Sequence, residues 1–305
     1  MTTSIAGKTA GILLLLLGAA TGATRGASEP DLEIRVLARS IVPGEAARVL
    51  VASREPLVSL RGTFAGRALF FQRHEPWLPP QDRELWSAWS VVDLGAKPGS
   101  RRVEIAGRAV SGKKVHATRT VRVLPKEFPT QRLRVESRYV TPPSEAEERI
   151  AREREHLAAV YATCTPIPPV SRPFLAPVPG SPSSPFGTRR ILNGVPREPH
   201  PGIDLPAAEG DPVRAAGPGR VVVAAELYYS GRTVILDHGG GLFTLYGHLS
   251  RIDVNEKAWV ESGQLLGLAG ATGRATGPHL HWGAKVGDRP FDPSSLLDPA
   301  LYRVR

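Results

Sequence analysis

The chemistry in this chain is concentrated in its histidines. There are eight, and His200, His238, His248, His279 and His281 all fall between residues 200 and 281. His279 and His281 stand two apart in Gly277-Pro278-His279-Leu280-His281-Trp282, at the start of a predicted strand, so both imidazoles leave the same face. One can bind a metal while the other stands beside it. In His200-Pro201-Gly202-Ile203-Asp204 a histidine precedes a carboxylate by four residues, and the Pro-Gly pair predicts a turn with Asp204 entering the strand that follows. Two neutral imidazoles and one carboxylate suit zinc. Three protein ligands leave a fourth tetrahedral position for water, the pattern of catalytic rather than structural sites. His248, in Tyr246-Gly247-His248-Leu249, is two residues from Tyr246 on one predicted strand face and can move protons without being a ligand. Tyr246 on that face either borders the site or simply packs in the core, whereas His238, beside Asp237 at a strand end, is expected to be structural. The single cysteine, Cys164, excludes an intrachain disulfide and a cysteine-rich zinc cluster, which leaves histidine and carboxylate to hold any metal.

Five stretches then agree in order and spacing: Ser184-Pro185-Phe186-Gly187-Thr188-Arg189, His200 through Asp204, Asp237-His238-Gly239, Tyr246 through Leu249, and Thr272 through His281. Together, over about residues 183–294, they resemble the lysostaphin/LytM-type zinc metallopeptidases that cut peptidoglycan cross-links. The resemblance implies that His200, Asp204 and His281 hold zinc, that His248 and His279 are the catalytic histidines, and that a β-sheet carries a groove across the metal. Zinc in such a site lowers the pKa of water and polarises the scissile carbonyl. Two tasks are open to the histidine pair, removing the proton from the attacking water and stabilising the oxyanion or protonating the leaving amine. Arg189 is a candidate contact for a substrate carboxylate. The N-terminal half resembles the immunoglobulin-like domain that precedes some exported members.

The elements that must position these residues are mainly β. From Asp31 to Val123, short runs at Leu32–Leu37, Ala47–Ala52, Leu57–Phe64, Arg67–Phe71, Trp86–Val92, Arg102–Ile105 and Val115–Leu124 predict seven strands, a sandwich of immunoglobulin-like size over residues 31–125. Its aromatics, Phe70, Phe71, Trp77, Trp86 and Trp89, are expected mostly in the core. Residues 126–185 form the connection. Ser144 and Glu147 behind Pro142-Pro143 make a capping box, predicting a helix to about Thr163 that docks the stripe of Ile150, Leu157 and Tyr161, with Arg154 on that stripe snorkelling to water. Between Pro166 and Pro185 there are eight prolines, which read as an extended connector with no packing of its own. Residues 186–295 carry β-type runs joined by Gly-rich turns, predicting a β-sheet or barrel-sandwich metallopeptidase domain.

The first 27 residues carry Lys8, an apolar core containing Leu13 to Leu17, and small residues toward Ala23 and Ala27, the pattern of a secretory signal peptide. The apolar run is too short to span a bilayer, so no stable membrane insertion is expected after cleavage, and the expected location is periplasmic or secreted. The 305 residues hold 39 Lys+Arg and 29 Asp+Glu, a net charge of +10; removing Lys8 and Arg25 with the leader leaves about +8. On an exported chain that charge favours an anionic partner of the envelope, here peptidoglycan, over nucleic acid. Two readings from different classes follow: a zinc endopeptidase, or a catalytically silent protein that binds peptidoglycan or activates another hydrolase. The presence of all five site residues favours the enzyme.

Overall fold

The computed structural model describes residues 31–74 and 83–303; the leader-like residues 1–27 and Trp77 lie outside them. The chain first builds β1 (Leu32–Leu37), β2 (Ala46–Ser53), β3 (Leu57–Phe64), β4 (Arg67–Ala68), β5 (Gln72–Arg73), β6 (Glu84–Val91), β7 (Gly99–Ala109) and β8 (Lys114–Val123). They form two four-stranded sheets, ordered β1-β2-β6-β5 and β4-β3-β7-β8. Alternation turns Ile34, Val49 and Val51 from one sheet and Phe64, Val103 and Ile105 from the other into a shared core. The run expected as a strand over Arg67–Phe71 is strand only at Arg67–Ala68; Leu69–Phe71 are irregular, and β5 begins after them at Gln72, in the other sheet. Leu69, between β4 and β5, is buried where the chain crosses from one sheet to the other, and the described residues of this region carry eight strands where seven were expected. Trp89 is buried as expected, but Phe70 is 52% exposed.

After β9 (Thr130–Leu133) comes helix α1 (Ser144–Tyr161). The predicted capping box does not form: extended Pro143 occupies the N-cap without a side-chain bond, and Ser144 is already helical. Glu145 and Glu147 still place negative charge in the first turn, where the helix dipole favours it. The proline-rich connector also departs from expectation, because Phe174 and Val178 are buried in the core of the following sheet. Its backbone is satisfied from outside, Phe174 N–H donating to the Leu296 carbonyl and Leu175 N–H to that of Ala216. Apolar side chains between prolines found a core to enter, and an extended backbone left its N–H groups free to pair with neighbours.

The remaining strands are β10 (Arg189–Leu192), β11 (Val195–Arg197), β12 (Gly202–Pro206), β13 (Pro212–Arg214), β14 (Gly219–Leu227), β15 (Gly231–Asp237), β16 (Leu242–Leu249), β17 (Arg251–Ile252), β18 (Trp259–Val260), β19 (Leu265–Leu268), β20 (His279–Val286) and β21 (Arg289–Phe291). The main sheet runs β12-β20-β16-β15-β14-β18, with β21 on β20. A second sheet runs β13-β19-β17 and a third β11-β10-β9. The main sheet has two unlike faces. Leu280, Trp282 and Ala284 of β20 and Tyr246 of β16 face the core, which Ala46 and Trp89 of the N-terminal sheets also join. Register places His281, Gly283 and Lys285 on the other face, opposite Gly247, Leu245 and Phe243. Helix α1 covers part of that second face through Leu157 and Tyr161, which pack with Phe243, Ile235 and Val223. A cavity of about 360 Å³, lined by Ile150, Arg154, Leu157, Tyr229 and Lys285 among others, remains beneath it. No helix among the described residues is long and apolar enough to cross a membrane.

His238 belongs to the core face. Its Nδ1 lies 2.7 Å from the Pro218 carbonyl and its Nε2 2.7 Å from Thr244 Oγ1. Burial pushes its pKa from 6.5 down to about 4, so the fold holds it neutral. The unfolded chain takes up this proton near 6.5 and the folded chain only near 4, so the stability is complete above 6.5 and declines as pH falls through that window. Between pH 7 and pH 5 the loss from this residue is about 2 kcal/mol. Urea unfolding at both pH values should show a smaller acid penalty in His238→Gln than in the wild type; equal penalties would remove this account of the residue.

Candidate functional site

The site is assembled on the second face of the main sheet. β12 and β20 are antiparallel neighbours with Asp204 opposite His281 and Pro206 opposite His279, so these three functional side chains emerge together. His200 is held just before β12 by two backbone bonds, from its N–H to the Thr188 carbonyl and from Gly187 N–H to its own carbonyl. The donor atoms converge: His200 Nε2 is 3.0 Å from His281 Nδ1 and 3.0 Å from Asp204 Oδ1, which is 2.9 Å from His281 Nδ1. Among the described residues these three form a group able to hold a metal ion. The close approach requires Gly202, since a Cβ there would stand 2.5 Å from the Trp282 carbonyl oxygen and 2.8 Å from His281 Cε1.

The surroundings prepare these donors. His200 Nδ1 lies 3.3 Å from the Pro185 carbonyl, which can accept its proton and leave Nε2 with a lone pair facing the cluster. Burial lowers its pKa to about 4, keeping the imidazole neutral as ligation requires. Arg190 Nη2 donates to Asp204 Oδ2 at 2.6 Å, leaving Oδ1 as the oxygen that faces the imidazoles. Burial opposes ionisation of Asp204, but the close contacts with His200 and His281 outweigh it and hold the carboxyl well below the usual carboxylate range. Two imidazole nitrogens and an ionised oxygen are a donor set that fits zinc.

His248 and His279 stand beside the cluster, with ring centroids 4.8 Å apart. His248 Nδ1 is 2.7 Å from the Thr272 carbonyl, and His279 Nδ1 is 2.8 Å from that of Gly277. A carbonyl accepts only, so each Nδ1 carries the proton and each Nε2 presents a lone pair. Gly231 lets the loop holding Thr272 come close, because a Cβ at its φ of +62° would lie 2.2 Å from Thr272 Oγ1. Burial, with the neighbouring His281 and His279, pushes the His248 pKa down to about 3.

Of the two candidate substrate contacts, the structure decides one. Tyr246 is fully buried on the core face, its hydroxyl accepting from Ala216 N–H at 2.8 Å, and lines no groove. Simple alternation would have kept it beside His248, but β15 and β16 slip register between Val234 opposite Tyr246 and Arg232 opposite Leu249, and His248 sits at φ +64°. This bulge turns the His248 ring to the opposite face. Arg189 is exposed and its neighbour Arg190 reaches the site, as expected of successive strand residues on opposite faces. Sequence reasoning missed Arg190. The Arg189-Arg190 pair was the only signal, and choosing between them needed the strand's facing.

A mainly β chain with a His-Asp-His cluster and two further histidines on one sheet face defines a class, the β-sheet proteins with a histidine–carboxylate cluster able to hold a metal ion. The family model of peptidase family M23 matches residues 198–293. The crystal structure of a Pseudomonas aeruginosa protein assigned to peptidase M23 superposes with a TM-score of 0.61 at 30% identity, covering 85% of this chain and 95% of that one. The chain belongs to peptidase family M23. It is 43% identical over 123 residues to the peptidoglycan DD-endopeptidase ShyA of Vibrio cholerae, covering 40% of this chain and 29% of that relative. It is 40% identical over 119 residues to the DD-carboxypeptidase/endopeptidase Mpg of Neisseria meningitidis serogroup B, covering 38% and 27%. The chain thus spans less than a third of the length of these curated relatives.

Proposed function

We propose that this chain is an exported zinc metalloendopeptidase that hydrolyses peptide cross-links of peptidoglycan. The observation that carries the reading is the convergence of His200 Nε2, Asp204 Oδ1 and His281 Nδ1 within about 3.0 Å of one another, beside two histidines whose Nδ1 atoms are tied to carbonyls. In this reading His200, Asp204 and His281 hold the ion. When bound, zinc supplies Lewis acidity toward the scissile carbonyl and makes water a better nucleophile near neutral pH. Arg190 keeps the Asp204 carboxylate turned so that only Oδ1 serves the site. His248 and His279 share the proton work through their Nε2 atoms: an Nε2 lone pair takes the proton of the attacking water, and the imidazolium so formed donates toward the oxyanion and delivers that proton to the leaving amine. The names of the two curated relatives favour a DD-endopeptidase cut. The leader-like residues 1–27 and the net charge of +10 favour the periplasm or exterior and an anionic wall polymer. Residues 186–295 form the peptidase domain in this reading, with residues 31–125 as an immunoglobulin-like partner domain.

Purified protein incubated with cell-wall sacculi and defined cross-linked muropeptides should release a new amine identifiable by mass spectrometry. Release should stop with a chelator and return with added zinc. Zinc-loaded protein that cuts neither substrate would sink the proposal.

A further inference from the structure

Beside the histidines, the site is bordered by arginines that outnumber their acidic partners. Arg190 is committed to Asp204. Arg197, at the end of β11, donates to the Val140 carbonyl, and among the described residues it makes no ion pair. Arg274 is more informative. It lies on the Thr272–Gly277 loop, between the two carbonyls that orient His248 and His279, and its backbone N–H donates to the Tyr229 carbonyl at 2.8 Å. Its guanidinium carbon rests 4.7 Å over the Tyr229 ring. That contact uses no hydrogen-bond acceptor, and for the guanidinium N–H donors the described residues provide neither an acceptor nor an ion pair. Burial, with the neighbouring charges of Arg190 and Arg197, lowers its pKa, so a half-buried cation is kept among cations with no acid of its own.

A guanidinium held against an aromatic ring with its N–H donors unpaired is prepared for a planar, two-oxygen anion. We infer that Arg274, supported by Arg197, receives a free carboxylate of the substrate peptide close to the bond that is cut, and so selects peptides carrying that carboxylate. The inference rests on the peptidase reading and deepens it by assigning a specificity-determining residue. It also moves the carboxylate contact from Arg189, which is exposed on β10, to a residue on the loop that mounts both proton-handling histidines.

The test uses a pair of cross-linked peptides that differ only in one group beside the scissile amide, a free carboxylate in one and a carboxamide in the other. Fluorescence anisotropy with versions whose scissile amide is replaced by a non-cleavable methyleneamine reads binding to the zinc-loaded full chain, and the cleavable pair reads kcat/KM. Wild type should bind the carboxylate peptide roughly 10- to 100-fold more tightly than the carboxamide, as expected for a charge-assisted pair. In Arg274→Gln the ratio should fall to about 2-fold or less, with carboxamide binding and zinc content unchanged, and Arg274→Lys should recover part of it. No preference in wild type, or equal weakening of both peptides in Arg274→Gln, overturns the inference. Carboxylate-selective binding without cleavage of either peptide would sink the peptidase reading and leave this subsite standing; cleavage of both with equal kcat/KM would do the reverse.

Discussion

His281→Ala is expected to lose both bound zinc and hydrolysis while remaining folded. The imidazole contributes one of three converging donors, and its removal leaves His200 and Asp204, a pair too few for a tetrahedral site. The side chain points away from the core, and its neighbours Leu280 and Trp282 fill the opposite face, so the substitution opens no cavity in the sheet. Zinc content by elemental analysis should fall from about one per chain toward zero, and cleavage of muropeptides by at least about a thousandfold. The thermal transition of the metal-free protein should change little. Asp204→Asn gives a useful contrast. It removes the one charged donor of the three and also leaves Arg190, whose side chain is 17% exposed, without its anionic partner. Stranding a largely buried cation costs roughly 3–5 kcal/mol, so this variant should be destabilised as well as inactive. If His281→Ala kept stoichiometric zinc and wild-type cleavage, the ligand assignment would be wrong.

The second large effect separates proton handling from metal binding. His248→Asn and His279→Ala should keep their zinc and lose about 10²- to 10⁴-fold in kcat, with KM nearly unchanged. Asparagine is the better replacement at position 248, because the residue sits at φ +64°, where most side chains are strained and asparagine is tolerated. Retained zinc is what distinguishes these variants from those of the ligands. Loss of zinc alongside activity would place His248 or His279 in the coordination set, and wild-type kcat in both variants would remove them from the chemistry.

Much of the architecture could be read from the chain because alternation is a local signal. The runs Leu32–Leu37 and Leu57–Phe64 become strands with those same ends, since each carries apolar residues on a face that a neighbour buries. The histidine and aspartate positions were equally legible, because His279 and His281 on one strand must share a face and Pro201-Gly202 must turn. What failed depended on partners distant in sequence. The bulge that separates His248 from Tyr246 arises from the register of β15 against β16, and no residue within Tyr246-Gly247-His248 announces it. Phe174 and Val178 looked like passengers of a proline-rich connector until a sheet folded from later residues offered them a core. Choosing Arg190 over Arg189 needed the direction in which β10 faces, which is set by its pairing with β9 and β11.

The loop from Thr272 to Gly277 supplies both carbonyls that fix the imidazoles of His248 and His279. In the proposed mechanism the two groups that share the proton work are therefore hung from a single bracket, bolted to the sheet where Thr272 Oγ1 accepts from Arg232 N–H at 2.9 Å and donates to the Leu249 carbonyl at 2.8 Å. A shift of that bracket cannot detune one imidazole alone. Competence for proton transfer should be gained and lost by both together, which makes six residues of backbone the mechanical common ground of the reaction.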